Sequence, residues 1–136
     1  MKDINVEIVT PSKSAYSGKA KSVTVPGAAG SFQILFNHAP IISALDIGVI
    51  KIEEIDGNLL VFAASGGTVE VLDNHVLLLV ESIETPDEID VKRAEEAKVR
   101  AKERLSINFK EKVDVARAEV ALKRAINRLK ITQKQM

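Results

Sequence analysis

Glu84-Thr85-Pro86-Asp87-Glu88-Ile89-Asp90-Val91-Lys92-Arg93-Ala94 and, further on, Ala121-Leu122-Lys123-Arg124-Ala125-Ile126-Asn127-Arg128-Leu129 bound the stretch that decides the architecture. Thr85 and Glu88 have capping-box spacing, and Pro86 falls at the first helical position, where its missing amide costs nothing. The stretch from Glu84 to Leu129 therefore reads as a helical hairpin. At 100° per residue, Arg93 and Arg100 nearly superimpose on one face with Asp90 beside them, and Arg124 and Arg128 share a face four residues apart. If the helices fold back antiparallel, four guanidiniums and a carboxylate converge near one end of the hairpin.

The 136 residues allow one ordinary domain, or a small domain with an appendage. Aromatics are scarce, so the core must come from Val, Ile, Leu and Ala. No apolar run approaches the roughly 18 residues of a membrane span. Strand-like alternation from Ile4 is expected to leave no room for a cleavable signal. The absence of cysteine excludes a disulfide framework and thiolate metal sites, and suits a reducing cytosol. The zero net charge hides an asymmetry. Residues 1–86 carry 5 Lys+Arg against 10 Asp+Glu, whereas residues 87–136 carry 14 against 9. A basic tail on an acidic body points to an anionic partner, although a long helical tail also needs solvated charge.

Before the hairpin the pattern is strand and turn. Ile4, Val6 and Ile8 alternate with polar residues, as do Val23 and Val25, and Phe32, Ile34 and Phe36. Pro11-Ser12, Pro26-Gly27, Asn37-His38-Ala39-Pro40, Asp46-Ile47-Gly48 and Ser65-Gly66-Gly67 all read as breaks or turns. Asp56-Gly57 is the strongest short hairpin signal. Such spacing predicts an antiparallel β-sandwich of about ten strands over residues 1–85, followed by a two-helix antiparallel hairpin over 86–136. The run Val76-Leu77-Leu78-Leu79-Val80 lacks polar alternation, which predicts a strand covered on both faces.

Along the first helix Ala94, Ala97, Ala101 and Leu105 step by three or four. Ser106-Ile107-Asn108 is the expected turn. Two stripes follow on the second helix: Phe109, Val113, Ala116 and Val120, then Ala118, Leu122, Ala125 and Leu129. Alanine seams permit close approach but bury little area, so the hairpin is expected to hold itself together weakly.

His38 and His75 have no cysteine or paired carboxylates at ligand spacing, which argues against a metal. Ser65 lacks the strand-to-helix framing of a nucleophile elbow, and no phosphate-loop motif occurs. With no nucleophile and base in position, the chain is not expected to be an enzyme by itself. The arginines admit two readings. One is a solvated helix face with pairs such as Glu96–Arg100, each contributing a few tenths of a kcal/mol. The other is an anion site: Arg124 and Arg128 repel at this spacing unless an anion lies between them, and guanidiniums grip phosphate oxygens in a fork. Asp90 and Glu84 would then accept hydrogen bonds from an adenine amino group or ribose hydroxyls.

End to end, the chain resembles the epsilon subunit of bacterial F-type ATP synthases. The resemblance rests on the Ile4–Pro11 strand and turn, Asn37-His38-Ala39-Pro40 where the family usually has Gly-His-x-Pro, Ser65-Gly66-Gly67, and the closing Ala121–Leu129. It implies an N-terminal sandwich bound to the gamma subunit and the membrane c-ring, with His38 and Asn37 at that interface. It also implies a hairpin that either folds compactly or extends into the catalytic head, meeting an acidic segment of the beta subunit and inhibiting ATP hydrolysis. Some members bind ATP through Ile-Asp-x-x-Arg-Ala and later arginines. Here the matching residues are Ile89, Asp90, Arg93 and Ala94, with Glu84, Arg100, Arg124 and Arg128. By this resemblance ATP is a regulatory ligand and no metal is required. The protein would sit peripherally on the cytoplasmic face of the bacterial membrane, held only through the complex. Phe36-Asn37 stands where Pro-Gly is commoner, and the Arg100-to-Arg124 interval is about a residue long, to be absorbed near Asn108.

Three rivals remain at this level. A nucleic-acid binder would want stacking aromatics, which the helices lack apart from Phe109. A purely structural coupling subunit would use its arginines only to pair with beta. A small β-sandwich enzyme has no candidate site.

Overall fold

Inward-pointing Ile4, Val6 and Ile8, all fully or nearly fully buried, define β1 (Ile4–Val9) in the computed structural model, which describes residues 2–106 and 112–133. Then follow β2 (Ser14–Gly27), β3 (Gly30–Leu35), β4 (Ile41–Glu54), β5 (Leu59–Leu72), β6 (His75–Val80) and β7 (Ile83–Glu84). A 3-10 turn at Pro86–Glu88 leads to α1 (Val91–Ser106) and α2 (Lys112–Gln133). The chain divides into two units, Met1–Thr85 and Pro86–Met136.

In the first unit, pairing runs β1–β2–β4–β5–β6 and returns to β1, a closed ring. β3 extends the sheet from the second half of β2, and β7 joins β5 at Ala63 and Ala64. All pairings are antiparallel except β1–β6, which is parallel, with Asn5 opposite His75 and Val9 opposite Leu79. The ring encloses Ile8, Val23, Val25, Ile34, Ile50, Ile52, Val69 and Leu78, each with no exposed surface.

Seven strands among the described residues replace the expected ten or so, because three supposed breaks lie inside strands of 14 residues. Pro26 stays in β2 because the pairing to β4 shifts register between Thr24 and Gly27, an irregularity that tolerates a residue without an amide. Gly48 stays in β4, where a β-carbon would strike the Pro26 ring. Gly66 and Gly67 stay in β5 with φ of +100° and +148°. There the Glu81 amide donates to the Gly66 carbonyl at 3.1 Å, and a β-carbon on Gly67 would collide with the Leu79 carbonyl. The glycines mark close approach of β6, not a turn. The run Val76–Val80 is also corrected: Val76, Leu78 and Val80 are buried, but Leu79 is 46% exposed, so one face only is covered.

Tyr16 ties one end of the ring together. Its hydroxyl donates to Glu54 Oε2 at 2.9 Å, and its ring meets Phe62 edge-on at 6.2 Å. Burial first, then the Glu54 hydrogen bond and the charges of Glu54 and Asp56, push the phenol from its ordinary 10.0 up to about 12.

In the second unit α2 packs on both α1 and the 3-10 turn. Because that turn precedes α1 whereas α2 follows it, α2 must run back antiparallel. Ala94 and Ala101 on α1, and Ala118, Ala125, Leu129 and Ile131 on α2, are buried. Of the two stripes expected on α2, the one through Ala118 and Ala125 is therefore the buried one. Ala116 and Val120 are exposed, while Phe109 and the Val113 side chain lie outside the described residues, as does the expected turn at Ile107-Asn108.

The helix start also differs from expectation. Pro86 opens the 3-10 turn, and α1 begins only at Val91. Its cap is Asp90: Oδ1 accepts the Arg93 amide at 3.1 Å, and the Asp90 carbonyl accepts the Ala94 amide at 3.0 Å. The 3-10 turn separates Thr85 and Glu88 from α1, so the cap of α1 itself falls to Asp90.

Candidate nucleotide site on the hairpin

The four arginines stand in one relation to the buried seam. Arg93 precedes Ala94, Arg100 precedes Ala101, Arg124 precedes Ala125 and Arg128 precedes Leu129. Each therefore lies about 100° back around its helix from a seam residue. In parallel helices that offset would throw the two pairs to opposite sides. Reversing one helix brings both pairs to the same side.

The axial spacing agrees. Ala94 and Ala101 are seven residues apart, as are Ala118 and Ala125, so a register opposing Ala94 to Ala125 also opposes Ala101 to Ala118. Arg93 then stands level with the interval between Arg124 and Arg128. Arg100 follows about 10 Å further along the axis. Arg93, Arg100 and Arg124 are exposed, and Arg128 is half-buried. The side is rich in fork-shaped donors and can take a multiply charged anion in bidentate pairs.

Of the remaining candidates, Ile89 and Ala94 are buried, at 8% and 4% exposure, so they pack and do not offer side chains to a ligand in solution. Asp90 is exposed while serving as the cap. Glu84 belongs to the other unit: it lies half-buried in β7, opposite Ala63. Asp90 as a cap escaped the sequence reading, although an Asp directly before the periodic stretch is the usual signal.

Asn37 and His38 occupy the link between β3 and β4. Asn37 has φ of +63°, the left-handed conformation that glycine or asparagine adopts most readily, which accounts for an Asn in place of the commoner Gly. Its amide donates to Asn74 Oδ1 at 2.6 Å, and Asn74 Nδ2 reaches back to Asn37 Oδ1 at 3.4 Å. Asn74, itself at φ +63°, was not singled out from sequence, and it clasps the β5–β6 turn to this link. His38 is half-buried, with its ring 6.4 Å from that of Phe32 and its Nδ1 donating to the Ala39 carbonyl at 2.7 Å. Leu35, Phe36, Ile41 and Ile42 flank the link and are exposed, Ile42 by 77%. Among the described residues, no group of three or more His, Cys, Asp or Glu can hold a metal ion, and no helix is long and apolar enough to cross a membrane.

Comparison with known proteins adds three findings. Residues 3–86 match the beta-sandwich domain of the ATP synthase delta/epsilon chain, and residues 87–133 match its long alpha-helix domain. The chain is 42% identical over 111 residues to the ATP synthase epsilon chain of Salinibacter ruber, covering 76% of this chain and 74% of that one. It is 44% identical over 105 residues to that of Priestia megaterium, covering 77% and 78%. In fold it is similar to a chain of the Euglena gracilis mitochondrial ATP synthase, with a TM-score of 0.82 at 18% identity over 90% of this chain and 77% of that chain. A chain of the Tetrahymena thermophila mitochondrial central stalk and c-ring gives 0.70 at 20% identity over 95% and 96%.

Proposed function

The chain belongs to the ATP synthase delta/epsilon chain family, and from that premise we propose that its sandwich fastens to the rotor while its hairpin senses ATP. It is a non-catalytic epsilon subunit of the ATP synthase central stalk. In the proposed role the sandwich binds the gamma subunit and the c-ring through the Asn37–His38 link and its exposed apolar flanks. This holds the protein peripherally at the cytoplasmic face of the membrane of a proton-translocating synthase.

What supports the sensor reading is that, in an antiparallel hairpin, the one-residue offset of Arg93, Arg100, Arg124 and Arg128 from seam residues puts both arginine pairs on one side. ATP bound there stabilises the compact hairpin by RT ln(1 + [ATP]/Kd), about 2.7 kcal/mol when ATP exceeds Kd a hundredfold. When ATP falls, the hairpin opens, its basic second helix meets an acidic segment of the beta subunit, and ATP hydrolysis stops. The alanines Ala94, Ala101, Ala118 and Ala125 suit such a switch, because each adds little burial to be lost on opening.

Calorimetric titration of the purified chain with ATP tests this. Wild type is expected to bind one ATP, and Arg93→Ala and Arg128→Ala each to abolish the signal while the sandwich melts as before. Unchanged titrations in both variants remove the site. Glu84→Gln separately asks whether that carboxylate serves the nucleotide.

A further inference from the structure

The link between β3 and β4 is tied to a turn far along the chain, and the tie runs through one side chain. We propose that Asn74 is a positioning residue that holds the link in its partner-ready shape before any partner arrives, a reading that rests on the rotor contact proposed above. Three observations support it. The Asn37 amide donates to Asn74 Oδ1 at 2.6 Å, across 37 residues of sequence. Asn74 is itself fixed from behind: its carbonyl accepts the Asn5 amide of β1 at 2.8 Å, and Asp73 and Asn74, at φ of +49° and +63°, form the two-residue turn between β5 and β6. The hydrogen bonds of His38, in contrast, are local, its amide donating to the Leu35 carbonyl at 3.1 Å and its Nδ1 to the Ala39 carbonyl at 2.7 Å.

Left to local bonds, a link over residues 36–40 samples several shapes, and a partner that binds it must offset the cost of ordering its backbone. Asn37 adds to that cost, because φ of +63° is a minor state for any residue with a β-carbon. The bond to Asn74 Oδ1 is made with Asn37 in that state, so it shifts the free chain towards the shape in which exposed Phe36 and Ile42 flank the link. Asn74 thus serves the partner through the link, and partner affinity scales with the fraction of chains whose clasp is closed. The bond in the other direction, from Asn74 Nδ2 to Asn37 Oδ1 at 3.4 Å, is long and contributes little.

Substitution separates the clasp from the turn, because glycine accepts positive φ while losing the side chain. Asn74→Gly therefore opens the clasp and keeps the β5–β6 turn. Asn74→Asp keeps an acceptor for the Asn37 amide, and Asn37→Gly keeps that amide and loses only the 3.4 Å bond. Full-length wild type and these variants, each checked as folded by circular dichroism, are titrated onto synthase particles stripped of this chain, with exchange of the Asn37 amide followed by NMR. Asn74→Gly is expected to speed that exchange and to weaken binding about three- to tenfold, the worth of one hydrogen bond. Asn74→Asp and Asn37→Gly should stay within about twofold of wild type. Unchanged affinity or unchanged Asn37 exchange in Asn74→Gly overturns the proposal, as does a loss in Asn74→Asp equal to that in Asn74→Gly. Ile42→Glu, which puts a charge on the exposed flank of the link, probes the premise. If it binds as wild type does, the rotor contact of the link fails and this role with it, an outcome set apart from the others because the Asn37 exchange still reports the clasp.

Discussion

The two units solve the same packing problem with different side chains. The ring of strands is filled by Ile and Val with no exposed surface, whereas most of the hairpin seam is alanine, at Ala94, Ala101, Ala118 and Ala125, joined by Leu129 and Ile131 near the end of α2. Burying a whole Ile or Val side chain is worth roughly 1.5–3 kcal/mol, and a methyl far less. In the proposed role, a rotor anchor must not come apart, while a sensor must do so readily. The difference in seam residues teaches that one chain can use two packing strategies, aliphatics throughout the ring and alanines along most of the hairpin, with Leu129 and Ile131 buried only near the end of α2.

The contrast breaks most sharply at Ile50, wholly buried at the centre of β4. Ile50→Ala is expected to cost about 2–5 kcal/mol. Denaturant titration should place the loss in the transition of the sandwich, and an equal loss of helix signal at the same midpoint would mean that the units are not energetically separate. On the other side, Ala101→Gly removes one methyl from the seam and adds backbone freedom, for about 1 kcal/mol. Amide exchange along α1 should quicken while the sandwich midpoint stays put.

The smallest effect sits at Tyr16. A phenol whose folded pKa is raised contributes stability that is complete below the unfolded value of 10.0 and is lost as pH rises through about 12. Stability of the sandwich should therefore fall between about pH 10 and 12, and Tyr16→Phe should flatten that fall. At neutral pH the same variant should cost about 0.5–1.5 kcal/mol, the usual worth of one hydrogen bond.

Periodicity exposed the faces more faithfully than the boundaries. Ile4, Val6 and Ile8, or Ala94 and Ala101, declare their inward side by spacing alone, because spacing and burial obey the same geometry. Pro26, Gly48 and Gly67 misled because local preference says turn, while their actual cause is a neighbour in another strand: the register shift against β4, the Pro26 ring, the Leu79 carbonyl. The arginines of the proposed site were legible for the same reason as the seam, each being one step from a seam residue. The clasp between Asn37 and Asn74 was not, since nothing in either turn names the other as its partner.

The parallel pairing of β1 with β6 carries a consequence for biosynthesis. A ribosome delivers Ile4–Val9 first, yet the strand that must lie along its outer edge, His75–Val80, emerges last of the ring. At roughly 5–20 residues per second, the opening strand waits about 4–14 s with only β2 for company. During that interval the edge of β1 that β6 will cover stays open to pairing with another nascent chain.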